Sequence, residues 1–190
     1  MKKGLLALLL AVALVAPVFA ADQGAMELDV KVGFNLMSNV KVDDWGNFDE
    51  SVDPAFTAGV DFFYYVMPQL AIGGGIDYVF NSEIKKTNGT KAGWTNLYAQ
   101  AKYVFDTGND IFNNVYPLLQ IGYGILNIDG DAEVDSNGLY WGIGAGTTIK
   151  ECYVFELLYS QNNASLKNFP SAVDLKYSTI QLKVGYKFSF

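Results

Sequence analysis

Nine charged residues stand out because they interrupt the polar side of segments that otherwise alternate apolar and polar: Glu27, Asp29, Lys31, Asp61, Asp77, Lys102, Glu156, Lys183 and Lys187. Five carboxylates and four ammonium groups brought into one enclosed space can neutralise each other as ion pairs. They can also line a narrow path for ions. The near balance favours pairs that hold a structure closed over a strongly ion-selective pore, so a structural salt-bridge plug is the first reading and gating of a narrow conductance the second. Other chemistry is scarce. The chain has no histidine, so the usual general base for activating a serine is missing. Cys152 is the sole cysteine and can form no internal disulfide. Gly142-Ile143-Gly144-Ala145-Gly146-Thr147 looks like a nucleotide loop, but strand parity runs straight through it and no helix follows to offer amides to phosphate. Asp129 to Asp135 gathers four acids, yet Val134 and Tyr140 stand where a calcium-binding EF-hand needs glycine and glutamate. A solvated acidic loop is the expectation, and no cofactor or metal is called for.

The nine charges can meet only if strands position them. Period-two alternation covers eight segments: 26–37, 55–67, 70–80, 94–105, 116–127, 139–149, 153–160 and 177–190. In the first, Leu28, Val30, Val32, Phe34 and Leu36 share one face, and Glu27, Asp29, Lys31, Gly33 and Asn35 take the other. The connections alternate as well. Segments 38–54, 81–93, 128–138 and 162–174 are long and polar, whereas 68–69, 106–115 and 150–151 are shorter. An even number of antiparallel strands with long loops at one end is the plan of a small membrane barrel. Eleven residues at ~3.3 Å per residue, tilted by ~40°, span roughly 28 Å, close to the apolar band of such a barrel. Closure requires the first and last strands to pair, which brings Glu27, Asp29 and Lys31 near Lys183 and Lys187.

Composition agrees with a membrane wall. Of 190 residues, 51% are hydrophobic and only 17% charged, too few charges for an ordinary soluble domain. The net charge of −7 and the lack of arginine exclude nucleic acid as a partner. Residues 1–20 read as a cleaved signal peptide: Lys2 and Lys3, an apolar core from Leu5 to Val15, then small residues ending at Ala20. Residues 21–190 then form one domain, with 11 Lys against 20 acids and a net charge of −9. The four long segments sum to −6, so an anionic surface partner would need divalent cations between.

Alternation does not say which face points inward, since a lipocalin keeps its apolar face inside. The polar parity is otherwise made of Gly, Ala, Ser, Thr, Asn and Gln, which suits a crowded lumen better than a wet exterior. Tyr64, Tyr78, Phe80, Tyr103, Phe105, Tyr153 and Tyr186 collect near strand ends on the apolar parity, where membrane girdles lie. The apolar face is therefore expected outside, against lipid.

The ending Val184-Gly-Tyr-Lys-Phe-Ser-Phe190 resembles the terminal strand of bacterial outer-membrane barrels. That resemblance implies that Tyr186, Phe188 and Phe190 form the signal read by the barrel-assembly machinery. Segments 97–105 and 116–124, with Gly142 to Gly146, resemble the OmpA/OmpX-like outer-membrane β-barrel family. The resemblance implies an all-β, eight-stranded antiparallel up-and-down transmembrane β-barrel in the bacterial outer membrane, monomeric, with outer-membrane lipid around it. Two features depart from the family pattern: no peptidoglycan-binding domain follows the barrel, and the arginines common in such lumens are absent. Enzymes on this scaffold depend on histidine as a family trait, so the expectation is no enzyme. Two functional readings remain: a structural or surface-interaction protein whose acidic loops meet an extracellular ligand, and a narrow channel or carrier for small, even apolar, solutes.

Overall fold

The computed structural model describes residues 22–42, 48–83, 91–129, 137–166 and 173–190. The expected signal peptide, most of the acidic stretch 129–135 and the tips of the four long loops lie outside these residues.

Among the described residues there are ten strands and no helix: β1 (Met26–Val42), β2 (Phe48–Val52), β3 (Phe56–Met67), β4 (Leu70–Glu83), β5 (Lys91–Tyr103), β6 (Phe105–Asp106), β7 (Phe112–Asp129), β8 (Asn137–Ile149), β9 (Tyr153–Leu166) and β10 (Val173–Ser189). Neighbouring strands pair antiparallel in chain order, and β10 pairs with β1 from Glu27↔Ser189 to Val42↔Leu175, closing the ring. Ten strands make eight staves. β2 and β3 pair with β1 in one continuous register, broken only around Pro54, which has no N–H for the ladder. β5 and β6 likewise share one register against β7, broken at Val104 and opposite Pro117. The expected eight-stranded antiparallel barrel is the observed fold.

The strands run further than alternation indicated. β1 and β10 each have 17 residues and β7 has 18, so residues read as loop in 38–54, 81–93, 128–138 and 162–174 are partly stave. At ~3.3 Å per residue and ~40° tilt, 17 residues span roughly 43 Å, about 15 Å beyond the apolar band. Above that band the chemistry of the two faces inverts. On β10 the outward residues Ile180, Leu182, Val184 and Tyr186 give way to Ser178 and Lys176, while inward Lys183, Gln181 and Thr179 give way to Tyr177 and Leu175. The apolar set thus changes parity within one strand, and a period-two signal averaged across the change vanishes. On β1 a bulge at Leu36, between Asn35 and Met37, reverses the facing instead. Val40 and Val42 keep the sequence parity of Val32 and Phe34 but turn inward.

The outer wall within the band is apolar: Val30, Val32, Phe34, Leu97, Leu119, Ile121, Ile143, Leu157 and Leu182 all stand exposed on it. Tyr64, Tyr78, Phe80, Tyr103, Tyr153 and Tyr186 are also on that face, as the girdle argument expects. At the short-turn end three residues, 150–152, join β8 to β9. Lys150 (φ 49°) and Glu151 (φ 63°) occupy the left-handed region at the centre of a turn closed by the Cys152 N–H donating to the Ile149 carbonyl oxygen at 3.3 Å.

Candidate functional site: the barrel lumen

All nine predicted charges face inward. Glu27, Asp29, Lys31, Asp61, Asp77, Lys102, Glu156 and Lys183 are almost wholly buried. Lys187 is half-buried at the short-turn mouth, its backbone N–H donating to the Cys152 carbonyl oxygen at 2.7 Å.

The pairing differs in part from what strand closure suggested. Register sets Asp29 opposite Lys187 and Gly33 opposite Lys183, but the ammonium groups reach across the barrel. Lys31 contacts Asp61 on β3 and donates to Glu156 Oε2 on β9 at 2.6 Å. Lys102 on β5 contacts Glu27, with Asp29 Oδ2 at 3.9 Å. Lys183 Nζ lies 3.1 Å from Asp77 Oδ1 on β4. The lysines therefore tie β1 to its neighbour β3 and, across the lumen, to β5 and β9, and tie β10 to β4. The links to β5, β9 and β4 are a bracing that adjacent-strand contacts alone do not provide.

Aromatic rings complete the network, and the sequence reading missed them. Tyr65 donates to Glu27 Oε2 at 2.9 Å, Tyr98 to Asp61 Oδ1 at 2.8 Å and Tyr116 to Glu156 Oε1 at 3.0 Å. A neutral relay lies beside them: Tyr140 donates to Gln120 Oε1 at 2.6 Å, and Gln120 Nε2 donates to Gln100 Oε1 at 3.0 Å. Nearer the long-loop end, Asn35 Nδ2 donates to the Tyr177 hydroxyl at 2.8 Å, and Ser38 Oγ lies 2.9 Å from Thr179 Oγ1.

Inward glycines make room for these rings. A methyl on Gly146 would sit 2.5 Å from Tyr116 Cζ, and one on Gly75 would overlap Asp61 Oδ1 and stand 2.7 Å from the Tyr98 ring. Tyr98 is the register partner of both Gly75 and Gly122, and Tyr116 that of Gly146. A large inward residue paired with glycine across the strand was the signal that could have placed the rings inside.

Apolar clusters fill both ends of the lumen. At the short-turn end Phe63, Tyr65, Ala71, Val104, Tyr116, Leu118, Val154 and Leu158 pack together, every one buried. At the long-loop end Val40, Val52, Ala55, Val79, Trp94, Leu126, Ala164, Leu175 and Tyr177 form a second cluster, where Trp94 stacks on Tyr177 with centroids 5.9 Å apart. The short-turn cluster interleaves with the outermost charges: Phe63 is the register partner of Glu27, Leu118 that of Lys102, and Lys102 Nζ lies 3.9 Å from the centroid of the Phe63 ring. The short-turn mouth holds a cavity of about 750 Å³ lined in part by Tyr65, Val104, Lys187 and Ser189. The glycine run at 142–146 is lumen wall: the nearest side-chain atoms to a methyl on Gly142 belong to Gln120 and Leu158. Phe190 and Met26 exchange backbone hydrogen bonds at 2.9 and 3.1 Å, so the C-terminal residue zips the closing seam.

Solved structures of small barrels share this fold. Ail, the attachment invasion locus protein of Yersinia pestis, aligns at a TM-score of 0.50 and 18% identity over 87% of this chain and 99% of its own. The Neisserial surface protein A aligns at 0.55 and 15%, over 87% and 99%. The outer membrane protein OprG of Pseudomonas aeruginosa aligns at 0.52 and 15%, over 92% and 99%. No curated protein sequence matches the chain significantly. The family model described as the outer membrane protein beta-barrel domain matches residues 6–188. With a closed eight-stave barrel, an apolar outer wall and that match over nearly its whole length, the chain belongs to the outer membrane protein β-barrel domain family.

Proposed function

We propose that the protein is a closed barrel that acts through its outer surface, stabilising the membrane or presenting its loops to an extracellular ligand, and that it is not an enzyme. The observation that carries this reading is the filled lumen: buried side chains pack across it at two levels, with ion pairs between. A conducting path needs weakly held, hydrated groups along its length, and apolar constrictions oppose it. The staves also rise beyond the apolar band and offer the four loops on a packed pedestal. Ail of Yersinia pestis has been solved in complex with the heparin analogue sucrose octasulfate, a polyanion. Here the four long segments sum to −6, so a polyanion would need divalent cations as intermediaries. Shortening the loops at 43–47, 84–90, 130–136 and 167–172, with heat-modifiable gel migration to confirm the barrel, tests the reading. Loss of cell-surface binding from an intact barrel supports it. Unchanged binding, together with solute uptake that survives the deletions, favours the narrow carrier instead.

Residues 1–20 act as the export signal in this scheme, the mature barrel is a monomer in outer-membrane lipid, and Tyr186, Phe188 and Phe190 are read by the barrel-assembly machinery. Phe190 is 68% exposed beside the closing seam, accessible to such a partner. Phe190→Ala should lower the assembled fraction in cells while leaving stability of the refolded barrel within about 1 kcal/mol, the range for exposed substitutions.

A further inference from the structure

The lumen charges do not balance. Five buried carboxylates face three buried lysines, with Lys187 half-exposed at the mouth. Four of the carboxylates are served. Glu27, Asp61, Glu156 and Asp77 each have a lysine Nζ at 3.1 Å or closer, and the first three also accept a tyrosine hydroxyl. Asp29 has neither. It is fully buried, no protein group donates to either of its oxygens, and Lys102 at 3.9 Å makes its short contact to Glu27. Glu27 and Asp29 project from alternate positions of one strand, on the same face and within hydrogen-bonding range of each other. Two ionised carboxylates in that position repel, and a proton between them turns repulsion into a hydrogen bond.

We propose that the Glu27–Asp29 pair is a proton-binding site: Asp29 is a neutral acid at neutral pH, donating its O–H to Glu27, and it exchanges that proton with the solution at the short-turn mouth. Access is built in. Tyr65 both lines the 750 Å³ cavity and donates to Glu27, and Lys187, also lining it, is the register partner of Asp29. The charged and titratable groups around the pair are Lys31 on the same strand, Asp61 (the register partner of Asp29) and Tyr65 on β3, Lys102 on β5, Tyr116 on β7, Lys187 on β10 and, through Lys31, Glu156 on β9. When the site empties, the Asp29 O–H bond breaks and the proton passes to cavity solvent. Two carboxylates then compete for Lys102, and the contact that braces β5 against β1 weakens. The site gives the plug a sensitivity to alkaline pH on the side opposite the long loops.

Infrared spectroscopy of the full barrel, in a detergent free of ester groups, reads the proton directly. The expected wild-type spectrum at neutral pH contains a protonated carboxyl C=O band that shifts in D₂O and disappears in Asp29→Asn but stays in Asp77→Asn. No such band in the wild type overturns the proposal without any variant having to fold. A band that survives Asp29→Asn overturns it too. Urea unfolding gives a second readout. A folded state that holds a proton the unfolded chain has released loses stability as pH rises. Between about pH 5 and about pH 7, where an unfolded aspartate has already ionised, wild-type stability should fall more steeply with pH than that of Asp29→Asn. Parallel curves for the two proteins contradict the site.

Discussion

Replacing Lys31 with methionine removes the one ammonium group that touches both Asp61 and Glu156, and keeps an unbranched stem of similar length in its place. Both carboxylates retain a tyrosine hydroxyl but lose their counter-charge inside a closed lumen. Removing one partner of a buried pair typically costs about 3–5 kcal/mol, because the remaining charge is stranded. Protonation limits that penalty: neutralising a carboxylate of ordinary acidity at pH 7 costs about 4 kcal/mol. With two stranded acids the ceiling is therefore about 8 kcal/mol, and the remaining hydroxyls with a nearby Lys183 should keep the loss nearer 3–5 kcal/mol. Urea unfolding in lipid vesicles at pH 7, followed by tryptophan fluorescence, measures it. The triple variant Lys31→Met, Asp61→Asn, Glu156→Gln removes the stranded charges and should recover most of the loss. A single-variant change under about 1 kcal/mol, the value for a solvated pair, would refute the idea that Lys31 braces the lumen. So would a triple variant no more stable than the single one.

Two neighbouring glycines should behave differently. Gly146→Ala drives a methyl to 2.5 Å from the Tyr116 ring and should cost about 1–3 kcal/mol, whereas Gly142→Ala meets its nearest atom at 3.3 Å and should cost less than about 1 kcal/mol in the same urea assay. Trp94→Ala empties the long-loop cluster and should cost about 3–5 kcal/mol. Hydrogen exchange should then speed up at Val40, Leu126 and Leu175 while amides around Phe63 and Leu158 keep their protection.

Much of the barrel was legible because lipid outside and polar atoms inside impose opposite chemistry on alternate residues. Val30, Val32 and Phe34 against Asp29, Lys31 and Gly33 announce a stave, and eight such segments announce closure. Legibility failed where that contrast fails. Past Ser178 on β10 the wall meets water, its core turns apolar, and the same strand continues with the opposite parity. At Leu36 a single inserted residue reverses the facing, which no period-two count can follow. The charged residues of the site were readable individually, because a charge on a lipid-facing parity is rare. Their partners were not, because pairing depends on reach across the lumen. Lys31 reaches Glu156 on β9 across the lumen as well as Asp61 on the neighbouring β3. Tyr98 and Tyr116 were overlooked because an aromatic suits either a membrane girdle or a lumen, and only the glycine opposite each ring decides between them.

The most direct measurement of the account is current through single purified barrels in a planar lipid bilayer. A lumen closed by two packed apolar layers with ion pairs between should give no conductance steps in the wild type at neutral pH, in dilute or concentrated salt. Reproducible discrete steps from the wild-type protein, well above the leak of the protein-free bilayer, would mean that water and ions pass where Phe63, Tyr116, Trp94 and their neighbours are packed, and would contradict it.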